Sequence, residues 1–267
     1  MTTLMAIGGA VDDEESVIFE EFIRRSGGTK ARIVVLPQAS SLKDTGKEYA
    51  RVFQHLGVKS RPVSLEFRER KSADKKQHLD ALRNATGIFL TGGTQMRITS
   101  IIGGTDFEQE LLAAFQRGAV VAGTSAGTAV MSKVMTAYGK SGATPREGLA
   151  RFSSGIGFTD KIIFDQHFRQ KDRLGRLAYA ISIHPGRLGV GVDENTCAIV
   201  ENDVKISVLG RNAVTIVDGK ELVSTNVAEM EGSRPVAVSG LRIHVLTEGC
   251  SFDIKTRKAA IPRLRLE

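Results

Sequence analysis

The sequence predicts an α/β protein: a mostly parallel sheet with helices on both faces, followed by antiparallel strands. Through the first two-thirds of the 267 residues, apolar runs of strand length alternate with amphipathic helical patterns. After Phe164 short strand-like runs follow one another, with Asp218-Gly219 as a hairpin-type turn. No repeat, low-complexity tract or linker divides the chain, so we expect a single domain, 1–267.

Each element is predicted from an apolar pattern bounded by glycine or polar residues. The early strands are predicted at 4–7, 31–36, 61–64, 87–90, 119–122 and 162–164. The helices between them are predicted at 14–25, 47–56, 74–84 and 107–117. The later strands are predicted at 190–192, 197–200, 206–209, 214–217, 236–238 and 241–246. Segment 132–157, rich in Gly and Ser, is predicted to be a long loop that forms a wall or lid over the site.

Composition narrows the class of protein. The hydrophobic fraction of 41% and the charged fraction of 25% are typical of soluble globular proteins, and no apolar run is long enough to span a membrane. The amino terminus lacks a signal-peptide pattern, and Cys197 and Cys250 lack metal-ligand spacing, so we expect a cytoplasmic protein with reduced thiols. A net charge of +7 permits a polyanionic partner, but the basic residues are dispersed and aromatics are few, which disfavours nucleic acid.

Gly123-Thr124-Ser125-Ala126-Gly127 is the most informative motif. It follows the apolar run 119–122 and precedes small residues that can open a helix, which is the setting of a nucleophile elbow. There a serine on a tight turn is exposed above the sheet, and the N–H of Ala126 can face a developing oxyanion. The alternative is a glycine-rich turn with an ordinary capping serine.

A serine nucleophile needs a base and an acid that orients it. Of five histidines, His167 alone follows a buried strand directly, in Asp165-Gln166-His167, where catalytic groups of open α/β sheets gather. Glu194 ends another strand and is the leading candidate for the acid, with Asp193 as its rival. The chain order Ser125, His167, Glu194 differs from that of α/β-hydrolases.

These motifs resemble those of the cyanophycinases, one branch of a serine peptidase family that also contains α-aspartyl dipeptidases. The resemblance rests on Gly123 to Gly127, Asp165 to Phe168 and Asp193 to Thr196, and extends to Thr91-Gly92-Gly93-Thr94-Gln95 and Arg173-Leu174-Gly175-Arg176. It runs from Gly8-Gly9-Ala10 to the late strands, and so covers nearly the whole chain.

The resemblance implies a class I glutamine amidotransferase-like sheet and a serine exopeptidase without metal or organic cofactor. The substrate would be cyanophycin, a poly-aspartate with arginine on each β-carboxyl, and the products β-aspartyl-arginine dipeptides formed through an acyl-enzyme. It implies Ser125 as nucleophile, His167 as base, Glu194 as its partner and a homodimer. The oxyanion amides would be those of Gly93 and Ala126. The substrate contacts that it implies are Gln95, Asp165, Gln166, Lys171, Arg173 and Arg176.

The residue types suit such a substrate, because Asp165 beside Gln166 can accept a guanidinium while Arg173 and Arg176 can bind carboxylates. Lys171 replaces an expected arginine and so removes a bidentate fork. Two rival functions remain: an α-aspartyl dipeptidase, expected to have a shorter chain without the late strands, and a non-catalytic binding protein on the same fold. A solvated charged helix is the alternative interpretation of residues 169–176.

Overall fold

A large central sheet organises the computed structural model, which describes residues 1–12 and 16–262. The strands are β1 (Thr3–Ile7), β2 (Ile33–Leu36), β3 (Val63–Ser64), β4 (Gly87–Leu90), β5 (Val120–Thr124), β6 (Val134–Gly139), β7 (Ala150–Ser154), β8 (Ile162–Gln166), β9 (Leu188–Val192), β10 (Thr196–Glu201), β11 (Lys205–Gly210), β12 (Val214–Asp218), β13 (Ser224–Thr225), β14 (Val238–Ser239), β15 (Arg242–Leu246), β16 (Ser251–Asp253) and β17 (Lys258–Ala260). The α-helices are α1 (Ser16–Arg25), α2 (Thr45–His55), α3 (Lys76–Asn84), α4 (Gln95–Ile102), α5 (Asp106–Gln116), α6 (Ala126–Ala129) and α7 (Leu174–Ile183).

The central sheet has the order β17-β16-β11-β10-β1-β5-β4-β2-β3. From β1 to β3 all neighbours are parallel, whereas β10, β11, β16 and β17 add antiparallel pairs beyond β1. The predicted fold class, a parallel sheet extended by late antiparallel strands, is therefore confirmed.

A second sheet of order β15-β12-β9-β8 lies apart from the first, with β8 and β9 parallel and the other pairs antiparallel. The sequence alone predicts one sheet with an added antiparallel edge, and this was wrong for these four strands. For β8, β9 and β12 the physical reason is that a strand buried on both faces has the same continuous apolar pattern whichever sheet it joins. The end of β8, with His167 after it, therefore lies outside the sheet that carries Ser125.

The alternation of side chains along each strand explains the layers. In β1, Met5 and Ile7 face the core under α1 and α2, while Leu4 and Ala6 face the core that contains α3 to α6 and one face of the second sheet. The other face of the second sheet is covered by α7, where Leu177 packs among apolar residues of β8 and β12. Helices thus lie on both faces of the central sheet.

Three local features of the structure were not predicted from the sequence. Segment 132–157 contains the antiparallel hairpin β6–β7 rather than a loop, with a bulge between Thr136 and Tyr138. The helix α4 was missed because β-branched residues favour a strand, although Ile98, Ile101 and Ile102 recur at helical spacing and are buried. The helix after Ser125 has only four residues. The predicted start of the first helix at residue 14 lies outside the described residues.

Candidate active site

Ser125 lies on a strained turn between β5 and α6, with φ 53° and ψ −110°. Such backbone angles cost a non-glycine residue about 1–3 kcal/mol and are found mainly at functional sites. The flanking glycines make the turn possible: a Cβ at Gly123 would lie 2.5 Å from the Gly127 carbonyl oxygen, and one at Gly127 2.2 Å from that of Leu90. The motif therefore has the elbow geometry that its sequence predicts.

His167 lies between this serine and a carboxylate, within hydrogen-bond distance of both. Its Nε2 lies 2.9 Å from Ser125 Oγ and its Nδ1 lies 2.5 Å from Glu194 Oε1. Because a carboxylate can only accept, Nδ1–H donates to Glu194 and leaves Nε2 as the acceptor for the serine hydroxyl. The structure thus joins Ser125, His167 and Glu194 in one hydrogen-bonded series.

The glycines at the end of β1 allow His167 to reach this position. A Cβ at Gly9, where φ is 156°, would lie 2.3 Å from the imidazole Cε1, and the His167 N–H donates to the Gly8 carbonyl oxygen at 2.5 Å. His167 itself has a positive φ of 46°. Gly8-Gly9 was interpreted from the sequence only as a strand end and a motif boundary, because the pattern shows no contact with a residue so distant in the chain.

The two candidate acids have different partners. Glu194 is partly exposed and contacts His167, whereas Asp193 is buried and accepts from the backbone N–H groups of Arg169 at 2.9 Å and Ala213 at 3.3 Å. Burial raises the pKa of Asp193 above its ordinary value, against the lowering effect of those two N–H groups. Asp193 holds together the segments around the site, and the carboxylate on the imidazole is that of Glu194.

The environment of His167 favours its neutral form. Burial lowers the pKa of the imidazole, the Glu194 hydrogen bond raises it, and the charges of Lys171 and Arg173 lower it further. The net pKa lies below the ordinary value of 6.5. At neutral pH the ring is therefore unprotonated and can accept a proton.

Two backbone amides beside Ser125 are free to donate. The Ser125 N–H itself donates to the Ile7 carbonyl oxygen at 3.2 Å. Among the described residues, nothing accepts a hydrogen bond from the N–H of Ala126 or of Gly93. Ala126 begins α6, and Gly93 has a φ of 137° that a non-glycine residue rarely adopts. These are the amides that the sequence motifs indicated for an oxyanion.

A cavity of about 290 Å³ opens onto Ser125. Five of the predicted substrate contacts line it, together with the hairpin β6–β7. Those five are Gln95, Gln166, Lys171, Arg173 and Arg176. The predicted wall over the site is therefore present, but it is built from strands rather than from a loop.

Asp165 differs from the sequence expectation. It is 1% exposed and pairs with Arg176, whose Nε donates to Oδ2 at 2.6 Å while Nη2 donates to Oδ1. Arg173 Nη1 lies 3.4 Å from the same oxygen and donates to Gln166 Oε1 at 2.8 Å. Asp165 therefore has no exposed oxygen for a substrate guanidinium, because an adjacent helix already supplies two guanidinium groups, which the strand pattern could not reveal.

Arg173 keeps unused donors beside the cavity. Of its guanidinium nitrogens, only Nη1 forms hydrogen bonds with described residues. Burial lowers its pKa to about 10, so the guanidinium stays charged at neutral pH. Arg176, by contrast, is 5% exposed and already bidentate with Asp165. Of the two arginines, Arg173 is the better placed to bind a ligand carboxylate.

The hairpin supplies contacts that the sequence did not indicate. Gln95 Nε2 donates to the carbonyl oxygens of Thr136 at 3.0 Å and Ala137 at 2.8 Å, which fixes β6 against α4. Tyr138, 57% exposed, lines the cavity mouth. Nothing in the local sequence marks Tyr138, because its place depends on the pairing of β6 with β7.

The described residues contain neither a metal-binding cluster nor a membrane-spanning helix. No group of three or more His, Cys, Asp or Glu side chains among them could hold a metal ion. No helix within residues 1–12 and 16–262 is both long and apolar enough to cross a membrane. The other histidines lie away from Ser125; for example, His78 bonds the Ser72 carbonyl oxygen at 2.9 Å, and His244 packs on Phe252.

Comparison with known proteins gives relatives over nearly the whole length. Cyanophycinase from Trichormus variabilis is 39% identical over 260 residues, which cover 96% of this chain and 87% of the relative. Cyanophycinase from Synechococcus elongatus is 38% identical over 258 residues, which cover 96% of this chain and 80% of the relative. That from Geminocystis herdmanii is 36% identical over 260 residues, with 96% and 95% covered.

Solved structures show the same fold at low identity. A peptidase from an acI-B1 Actinobacterium superposes with a TM-score of 0.69 at 18% identity, covering 95% of this chain and 97% of that one. A putative peptidase E protein from Listeria monocytogenes superposes with a TM-score of 0.53 at 12% identity, covering 79% of this chain and 100% of that one. The model of peptidase family S51 matches residues 4–209. On this match and the long alignments above, the chain belongs to peptidase family S51.

Proposed function

We propose that this protein is a serine peptidase that hydrolyses cyanophycin to β-aspartyl-arginine dipeptides through an acyl-enzyme. The observation that carries the proposal is the hydrogen-bonded series Ser125–His167–Glu194 at the mouth of a cavity lined by cations. Its relatives named cyanophycinase share 36–39% identity with 96% of the chain.

In the proposed mechanism Ser125 Oγ attacks the carbonyl carbon of the scissile peptide bond. His167 Nε2 takes the hydroxyl proton and then gives it to the leaving amine, so that this bond breaks and an ester to Ser125 remains. A water molecule, activated by the same nitrogen, hydrolyses the ester. Glu194 holds the Nδ1–H tautomer and stabilises the imidazolium that forms in each half-reaction.

The oxyanion of each tetrahedral intermediate would be bound by the N–H groups of Gly93 and Ala126. Both amides lack an acceptor among the described residues, so they can donate without breaking an existing hydrogen bond. Donors fixed by the backbone need no reorganisation as charge develops, and one such donor typically contributes about 2.7–4 kcal/mol to transition-state stabilisation.

Substrate recognition would use the cations of the cavity. Each arginine of cyanophycin ends in a guanidinium and an α-carboxylate. Arg173 and Lys171 can bind the carboxylate, and Gln166 and Gln95 offer amide groups nearby. Asp165 would act by holding Arg173 and Arg176 in place rather than by contacting substrate.

Two rivals are separable. An α-aspartyl dipeptidase of this family was expected to lack the late strands, whereas the described residues of this chain contain the strands β10 to β17. A non-catalytic binding protein would have no need of the strained serine or the neutral histidine. Exo action, a cytoplasmic location and a homodimer stay predictions.

Ser125→Ala should abolish hydrolysis and leave the fold intact, because the nucleophile is lost while a smaller side chain fits the turn. Wild type and variant are incubated with insoluble cyanophycin, and the dissolved products are identified by mass spectrometry. A serine-reactive phosphonate should label only wild type. The residual rate of the variant should not exceed the uncatalysed rate in water by more than about 10³–10⁴-fold. Substantial turnover by the variant, or a wild type that the phosphonate does not label, would contradict the mechanism.

Glu194→Gln should lower kcat far more than it changes KM, because an amide can still accept from Nδ1–H but cannot stabilise an imidazolium. The loss should approach about 10⁴-fold, as for other triads. Asp193→Asn is the matched control, since its carboxylate does not reach the imidazole. If the Asp193 variant loses kcat selectively and the Glu194 variant does not, the assignment of the acid is wrong.

Arg173→Ala should lower kcat/KM for cyanophycin about ten- to 150-fold, because a charge-assisted hydrogen bond in a partly desolvated site contributes about 1.5–3 kcal/mol. A simple aryl ester that lacks the arginine should be hydrolysed at nearly the wild-type rate. Arg61→Ala, an exposed residue outside the cavity, serves as control. Equal losses on both substrates would show that Arg173 supports the triad rather than the substrate.

The pH profile should report His167. Because burial lowers its pKa and only the neutral ring accepts a proton, kcat/KM should rise with pH along an acidic limb centred below 6.5. Lys171→Gln removes a positive charge that lowers this pKa, so the limb should move to higher pH. Lys76→Gln, at the start of α3, should leave it in place. A shift to lower pH for Lys171→Gln would contradict the electrostatic account.

A further inference from the structure

A second concave surface adjoins the cavity at Ser125. This α2 groove, of about 570 Å³, lies between α2 and the loop that precedes α4. Its lining includes Ser40, Glu48, Tyr49 and Arg97, and it shares Gly93 and Thr94 with the cavity. The two spaces are therefore on opposite sides of one short segment of backbone.

The segment Gly92-Gly93-Thr94 forms the ridge between the two spaces, and of these three residues only Thr94 carries a side chain. Gly92 and Gly93 carry no side chains, and a Cβ at Gly93 would lie 2.2 Å from the Ala39 carbonyl oxygen. A Cβ at Gly92 would lie 3.5 Å from Ser125 Cβ, so the ridge passes directly beside the nucleophile. An extended chain whose scissile bond is at Ser125 can cross the ridge without meeting a side chain from either glycine.

Of the two spaces, only the groove has a carboxylate among its described lining residues. The described residues that line the cavity include Lys171, Arg173 and Arg176 but no carboxylate. The groove presents Glu48, an exposed residue in the first turn of α2. No cation among the described residues pairs with the Glu48 side chain, so its carboxylate can accept a guanidinium.

Arg97 gives the groove a matching donor. Its Nη1 donates to the Ser40 carbonyl oxygen at 3.0 Å, which fixes one end of the guanidinium. Its other N–H groups have no partner in the described part of the chain. Tyr49 and Val52 provide an apolar floor beside Glu48. A carboxylate, a fixed guanidinium and an apolar floor together complement an arginine that ends in a guanidinium and a carboxylate.

We propose that the α2 groove binds a second β-aspartyl-arginine unit of the polymer, the one across the scissile bond from the unit in the cavity, with Glu48 contacting its guanidinium. This inference rests on the proposed function and makes Glu48 a specificity-determining residue. It follows that hydrolysis is faster when the unit outside the cavity also carries its arginine charge.

The test is a double-mutant cycle between enzyme and substrate. Tetramers of β-aspartyl-arginine are made with arginine throughout, or with uncharged, isosteric citrulline at one of the positions. Wild type, Glu48→Gln and the control Glu248→Gln are compared by kcat/KM. Glu248 is exposed and adjoins β16, at the other edge of the central sheet.

Glu48→Gln should lower kcat/KM for the all-arginine tetramer about three- to tenfold, a modest factor because the carboxylate is exposed to solvent. Citrulline in the unit directly across the scissile bond from the cavity should lower the kcat/KM of wild type by a similar factor. It should not lower the kcat/KM of Glu48→Gln any further. At every other position the factors by which citrulline and Glu48→Gln lower kcat/KM should multiply. The Glu248→Gln variant should match wild type on all tetramers.

Misfolding of the Glu48 variant cannot imitate this result, because a loss of folded enzyme lowers kcat/KM for every tetramer equally. Multiplicative effects at all positions, or an unchanged kcat/KM for the all-arginine tetramer, would overturn the groove assignment and leave the proposed function standing. If wild type dissolves no cyanophycin and cleaves no tetramer, the proposed function fails as well.

Discussion

The contacts of Gly8-Gly9-Ala10 with the ends of three other strands hold the site together. The Gly8 carbonyl oxygen accepts from the His167 N–H, that of Gly9 from the Thr124 hydroxyl at 2.7 Å, and that of Ala10 from the Asn195 N–H at 2.9 Å. One short segment after β1 thus positions His167 itself, Thr124 next to Ser125 and Asn195 next to Glu194. A side chain at residue 9 would occupy the place of the imidazole.

This junction matters because the catalytic groups come from separate sheets. Ser125 follows β5 of the central sheet, whereas His167 and Glu194 follow β8 and β9 of the second sheet. Two separate sheets can shift relative to each other unless their ends are joined. A hydrogen bond between Ser125 Oγ and His167 Nε2 tolerates displacements of only a few tenths of an ångström, so the glycine junction, rather than either sheet alone, sets the geometry.

The buried ion pair between Asp165 and Arg176 has a similar positioning role beside the cavity. Removing one member of such a pair leaves an uncompensated buried charge and costs about 3–5 kcal/mol. The pair fixes the start of α7 against β8 and so positions Arg173 beside the cavity. Under the proposed function, the cations of the cavity would bind the arginine carboxylate of one polymer unit, and the Glu48 carboxylate of the α2 groove would bind the guanidinium of the unit across the scissile bond.

Local sequence determined those features whose causes are local. The alternation of apolar strands and helices determined the fold class, and the glycines around Ser125 determined the elbow, because each depends on residues within a few positions. The sequence narrowed the acid to Asp193 or Glu194 but could not separate them by pattern. Tertiary structure decided which of the two contacts the imidazole, the division into two sheets, the burial of Asp165 and the hairpin at 132–157. Those outcomes depend on contacts between residues that are distant in the chain. The N–H groups of Arg169 and Ala213 donate to Asp193, and Arg176 donates to Asp165. No local sequence pattern encodes such partners.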